Sequence, residues 1–189
     1  ARFVDLIEMY VAYFNRAPDA LGLQYWASRI VEGMSLPEIA KSFFVQPETL
    51  ATFPSTMSTT QFVWQVYDNA LGRAPDAGGL AYWVNDLNSG AQTRDVFMLA
   101  LIYGARAPSG SAQDAQYLAN KGNVGGYFAL EQGLGDVAWA KTVMKNVDAT
   151  AASVTAARSM ADGFAVLAQT VDPHLMVPLT GVLHYGQPD

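Results

Sequence analysis

Arg16-Ala-Pro-Asp-Ala-Leu-Gly-Leu-Gln-Tyr-Trp26 returns as Arg73-Ala-Pro-Asp-Ala-Gly-Gly-Leu-Ala-Tyr-Trp83, with only Leu21/Gly78 and Gln24/Ala81 differing. This is an internal duplication, and its copies lie 57 residues apart. That offset holds about three short helices with their connections, so the repeated unit is a small helical subdomain rather than a single supersecondary element.

Within each copy the residues read as a helix start. Pro18 and Pro75 end the preceding helix, and Asp19 and Asp76 can accept hydrogen bonds from the first amides of the next, an N-cap worth ~1 kcal/mol. Leu23, Trp26 and Ile30 fall at i, i+3 and i+7, as do Leu80, Trp83 and Leu87, so both tryptophans belong to a core-facing stripe. Gly22 and Gly79 stand in the first turn, where glycine is disfavoured by up to ~1 kcal/mol against alanine. Their recurrence implies a group that approaches the backbone closely, with the other copy as the candidate. Arg16 and Arg73 can pair with their own aspartate or clamp loop carbonyls. The alternative is that Arg16, Asp19, Trp26 and Arg73, Asp76, Trp83 line a shared groove gripping an acidic or sugar-like partner. Cap, link and core stripe explain each residue type without a ligand, so the structural reading is preferred.

Outward from the repeat, helical periodicity continues. Leu36, Ile39, Ala40, Phe43 and Phe44 form an amphipathic stripe, and Val96 to Tyr103, apolar all round, is expected to be the central helix of the core. Ser111 and Asp114 resemble a capping box, Asn120-Lys-Gly122 reads as punctuation, and Asn123 then caps a helix carrying Val124, Tyr127 and Phe128. Asp136 opens a further helix, and a last one from about Thr150 carries Val154, Ala157, Ala161, Phe164 and Ala168. The expected fold is all-α, with eight or nine helices. Residues 1–170 form one helical domain, with repeat copies at about 7–46 and 64–104 and further helices over about 111–169. From 171 to 189, Pro173, Pro178, Pro188, Gly181 and Gly186 forbid a long helix. This extended tail carries Leu175, Met176, Val177, Leu179, Val182 and Leu183, an apolar set expected to dock on its own domain or on a neighbouring chain.

Composition narrows function. Half of the residues are hydrophobic and 15% are charged, against roughly 25% in soluble domains, which favours assembly or a covered surface. A net charge of −6 with scattered cations disfavours nucleic acid. No apolar run reaches the ~18 residues of a membrane span, and the first ten residues lack the pattern of a secretory signal. The absence of cysteine excludes disulfides and thiolate chemistry. His174 and His184 match no metal-ligand spacing, no nucleotide or hydrolase fingerprint is present, and no metal or cofactor is expected.

The paired Arg-Ala-Pro-Asp-x-x-Gly-Leu-x-Tyr-Trp segments, with Asn120-Lys-Gly-Asn-Val-Gly-Gly-Tyr-Phe128 and Gly133-Leu-Gly-Asp-Val-Ala-Trp-Ala140, resemble the bacterial family called domain of unknown function 4214 over about Ile7 to Val154. The Arg-x-Pro helix pattern is distantly similar to the helical linker domains of phycobilisomes. The family resemblance implies a setting in exported, adhesin-like or surface-layer-like proteins, although this chain has no Gly-Gly-x-Gly-x-Asp calcium repeat. A small standalone protein of a particle fits equally. The resulting expectation is a non-catalytic interaction or assembly module with a protein partner, self-association or a surface polysaccharide. Its rivals are a small hydrolase or lyase using Asp76, Tyr82, Asp86 and Asp95, or the accessory domain of an enzyme.

Overall fold

The computed structural model describes residues 2–171 and Met176. Among them the fold is all-α and no strand occurs. Two three-helix units come first: α1 (Arg2–Phe14), α2 (Ala20–Val31) and α3 (Leu36–Phe44), then α5 (Thr59–Leu71), α6 (Ala77–Ser89) and α7 (Arg94–Arg106), bridged by the short α4 (Pro47–Thr52). α8 (Ala112–Gly126), α9 (Val137–Met144) and α10 (Ala151–Val171) follow, and α8 runs directly into a π-helical turn over Tyr127–Glu131.

The repeat sequence acts as expected at its helix starts. Asp19 accepts from the Gly22 amide at 2.7 Å and Asp76 from the Gly79 amide at 2.9 Å. What approaches each glycine is not the other copy but a tyrosine of the preceding helix in the same copy. A Cβ on Gly22 would stand 2.6 Å from the Tyr10 hydroxyl, and one on Gly79 3.0 Å from that of Tyr67. Tyr10 and Tyr67 are themselves repeat partners, so duplication preserved the contact within each unit.

Two further expectations, on helix count and on helix boundaries, are corrected. The described helices number ten rather than eight or nine. The six-residue α4, with Pro47 in its first turn, is too short to display a period. Asn120-Lys-Gly122 does not interrupt the chain but lies inside α8. Its polar side chains find partners outside the helix: Asn120 donates to the carbonyls of Asp148 and Thr150, and Lys121 to that of Met144. Gly122 faces Glu8, and a Cβ on Gly125 would press on Ile7, Met144 and Pro18, so the glycines admit close helix packing instead of ending the helix.

The central helix is α1, not α7. Every residue from Asp5 to Phe14 is buried, whereas α7 leaves Tyr103 exposed. α1 packs against α2, α3, α4, α5, α7 and α8. Most of it belongs to a core shared with both repeat units, through Phe43, Phe62, Phe97 and Ile102, while Val11 belongs to a second core made with Val124, Phe128, Met144, Ala157 and Ala161 of α8–α10 and the π-helical turn. Alanines 157, 161, 165 and 168 are the buried face of α10. Of the apolar tail set, Met176 forms an antiparallel bridge with Leu134 and packs on this second core. Leu175, Val177, Leu179, Val182 and Leu183, like His174 and His184, lie outside the described residues.

Gly22→Ala is expected to destabilise the fold by about 1–3 kcal/mol, because the new methyl overlaps both Tyr10 and the capping carboxylate. Gly163→Ala in α10, where no atom of the described residues beyond the helix's own backbone lies within 4 Å of the new Cβ, should instead stabilise by about 0.5–1 kcal/mol. Urea denaturation of the two variants reads the difference, and the same sign for both would contradict the packing described.

Candidate functional site

The arginines of the repeat are engaged by the fold. Arg16 is buried; its Nε stands 3.2 Å from each Glu48 oxygen, its NH1 donates to the Ala17 carbonyl at 3.0 Å, and its guanidinium lies over the Tyr10 ring. Arg73 repeats the scheme with another acid. Its Nε and NH2 grip the Asp114 carboxylate at 2.7 and 2.6 Å, NH1 donates to the Ala74 carbonyl, and Tyr67 lies beneath. Each motif arginine therefore locks its own loop and ties a later helix to its unit, α4 in one case and α8 in the other. Trp26 meets Phe43 edge-on at 5.3 Å, and Trp83 meets Phe97 at 5.1 Å while donating to the Tyr67 hydroxyl.

The two motif sets do not converge on one cavity. Arg16, Asp19 and Trp26 line a hollow of about 470 Å³ with Tyr10 and Tyr25, whereas Arg73 lines a different one. Asp76, Tyr82, Asp86 and Asp95 line neither this hollow nor the two larger cavities on α5. Asp76 caps α6, Tyr82 stands against Trp83, and the Asp95 carbonyl accepts from the Tyr13 hydroxyl. Among the described residues no group of three or more His, Cys, Asp or Glu side chains could hold a metal ion.

Two larger cavities adjoin on α5. One, of about 880 Å³, is lined by Trp64 with Met57, Thr60, Gln61, Gln65, Asp68 and Arg73. Trp64 is 47% exposed. It is not singled out by the near-identical motif, because it lies upstream of Arg73–Trp83, at the start of the second repeat copy. A signal was nevertheless present: Trp64 occupies the position equivalent to the buried Ile7, 57 residues earlier, and polar Gln61, Gln65 and Asp68 surround it on the helix. A large aromatic left half in water beside amide, hydroxyl, carboxylate and guanidinium groups offers a stacking face with hydrogen-bonding groups around it.

The second cavity, of about 990 Å³, shares Gln65 and Asp68 with the first and opens toward α8 and α9. Lys121, Lys141 and Lys145 line it with Asn69, Tyr117 and Asp148. Lys121 is 2% exposed, and burial lowers its ammonium to about 8 despite the nearby Asp148 carboxylate.

A further perturbed group lies away from these cavities. Glu8, 1% exposed on α1, has Oε2 3.3 Å from NH1 of Arg106 but without hydrogen-bond geometry; Arg106 also pairs with Asp5. Burial pushes Glu8 up to about 7, opposed by Arg106 and reinforced by Asp5. The group joins α1 to α7 and lines none of the three cavities. Because its folded value exceeds the ordinary 4.5, the folded state binds the extra proton and stability falls as pH rises from about 4.5 to about 7. Glu8→Gln should flatten that decline and gain about 1–3 kcal/mol at pH 8, read by denaturation at pH 5 and pH 8. An unchanged pH slope would contradict the assignment.

Fold and site together define an all-α domain built on a duplicated three-helix unit, with polar, aromatic-lined cavities on α5. Residues 40–105, from α3 through α7, match the family described as domain of unknown function (DUF4214). The match therefore holds the second repeat unit and Trp64, while the Asn120–Phe128 and Gly133–Ala140 segments lie beyond it. No curated protein and no solved structure matches the chain.

Proposed function

We propose that this domain is a non-catalytic binding module that grips a hydroxyl-rich, glycan-type ligand on Trp64, in the setting of a surface-associated, exported or particle-borne bacterial protein. The observation that carries the reading is the half-exposed indole in a cavity with Gln61, Gln65, Asp68 and Arg73. Sugar rings present apolar faces that stack on indole and hydroxyls that donate to carboxylate and amide oxygens, and this cavity supplies both complements. The repeat motif then serves as scaffold: Arg73 both holds α8 through Asp114 and borders the cavity, so the motif positions the site without itself being the grip.

Among the described residues no helix is long and apolar enough to cross a membrane. A protein partner or a second copy seated on the same face is the competing occupant. Affinity electrophoresis of the full chain through neutral and acidic bacterial polysaccharides tests the reading. Retardation by at least one of them, weakened about tenfold by Trp64→Ala with thermal unfolding still cooperative, is the expected result. Trp26→Ala, whose ring packs on Phe43, should instead lose about 2–4 kcal/mol of stability. Binding unaffected by Trp64→Ala, or concentration-dependent dimerisation that Trp64→Ala abolishes with no retardation by any polysaccharide, would overturn the proposal.

A further inference from the structure

We infer that the cavity walled by α5, α8 and α9 is the charge-reading half of the same site, and that the ligand is an acidic polysaccharide carrying ring carboxylates. The inference rests on the reading of Trp64 as the sugar platform. Its independent observation is the distribution of lysine. The chain has four lysines, Lys41, Lys121, Lys141 and Lys145, within a net charge of −6, and three of them line this one cavity. They are placed by different means. Lys141 and Lys145 stand at i and i+4 at the C-terminal end of α9, one above the other on a single face. Lys121 comes from α8 and is held by the Met144 carbonyl, with its ammonium 5.3 Å from the centre of the Tyr117 ring.

The cations are not all neutralised within the fold. Lys141 pairs with Glu48 at 3.1 Å, but Lys145 is exposed and enters no ion pair among the described residues. Gln65 and Asp68 line both cavities, so a chain-like ligand seated on Trp64 reaches the lysines along one face of α5. Asn15, Asn69 and Asn146 add amide groups on the way. The acids decide between classes of polyanion. Asp68 and Asp148 line the cavity and Glu48 stands beside Lys141, so a densely charged phosphate backbone would meet carboxylates throughout. A polymer with one carboxylate per ring alternates charge with hydroxyls. Its carboxylates match the exposed Lys141 and Lys145, with the buried Lys121 behind them, and its hydroxyls can donate to Asp68 and Asp148.

Titration calorimetry of the full chain with galacturonate and mannuronate hexamers, their carboxyl-reduced counterparts and inorganic phosphate tests the assignment. At least one uronate hexamer should bind more tightly than its reduced counterpart, with affinity falling as salt rises. Lys145→Gln and Lys141→Gln should each weaken uronate binding about two- to fivefold, the effect of a rim charge, and leave the reduced hexamer unchanged. Lys41→Gln, a charge change away from the cavity, should have no effect. Lys145→Gln breaks no ion pair and keeps the test interpretable should Lys141→Gln disturb folding. Equal binding of uronate and reduced hexamers, still dependent on Trp64, overturns the acidic assignment while the sugar platform stands. Inorganic phosphate displacing the uronate from the lysines at lower concentration overturns it in favour of a phosphate ligand. Binding of neither hexamer removes the assignment, and the platform is then judged by the polysaccharide retardation alone.

Discussion

Ten consecutive residues of α1, Asp5 to Phe14, are withdrawn from water, and the remaining helices are arranged by the need to cover them. A helix that is apolar on most of its circumference has to be enclosed by several neighbours, and here six helices contact it. The two repeat units enclose one side, through aromatic contacts that run from Tyr10 and Tyr13 to Phe43 and from Phe62 to Phe97. α8 closes another, where Val11 enters the second core. The polar residues of α1 comply with this burial: Asp5 and Glu8 meet Arg106 rather than water, which joins the first helix of copy one to the last helix of copy two. Removing Arg106 would leave both carboxylates without their cation.

Ion pairs of the repeat supply direction where apolar packing supplies cohesion. Arg16 and Arg73 begin from the same local arrangement, a ring beneath and a loop carbonyl alongside, and diverge only in the acid they reach. Glu48 accepts from Arg16 and also meets Lys141, so α4 links the end of α1 to α9. Asp114 answers Arg73 from α8. One motif used twice thereby attaches two different elements, and the face between those attachments is where the cavities on α5 lie. Function and scaffold meet at Arg73, which holds α8 and borders the Trp64 cavity at once.

Duplication also explains why the two copies need not serve alike. At the positions of Ile7 and Trp64 the first copy is buried beneath α8, where a Cβ on Gly125 would touch Ile7, and the second faces solvent. Once one copy is covered by the C-terminal helices, its counterpart has no such cover, and a side chain there is free to meet a ligand. A strict repeat in sequence becomes an asymmetric pair in space because a single set of downstream helices can cover only one of two similar faces.

Local chemistry was legible in the sequence. Asp19, Asp76, Ser111 and Asp136 cap the helices they precede, the alanine stripe of α10 is its buried face, and the repeat marks two helical units. These are decided within a few residues, by hydrogen bonds to the nearest free amides and by the 3.6-residue period. The sequence alone did not identify α1 as the centre, because a helix shows its own apolar width but not how many neighbours enclose it. Nor did it show that Asn120-Lys-Gly122 stays helical, which depends on the carbonyls of Met144, Asp148 and Thr150 more than twenty residues away. The candidate site is of the same kind. Trp64 beside Arg73, and Lys121 beside Lys141 and Lys145, are brought together only when α5, α8 and α9 pack. Composition counted those residues, but tertiary structure alone decided that they share a face.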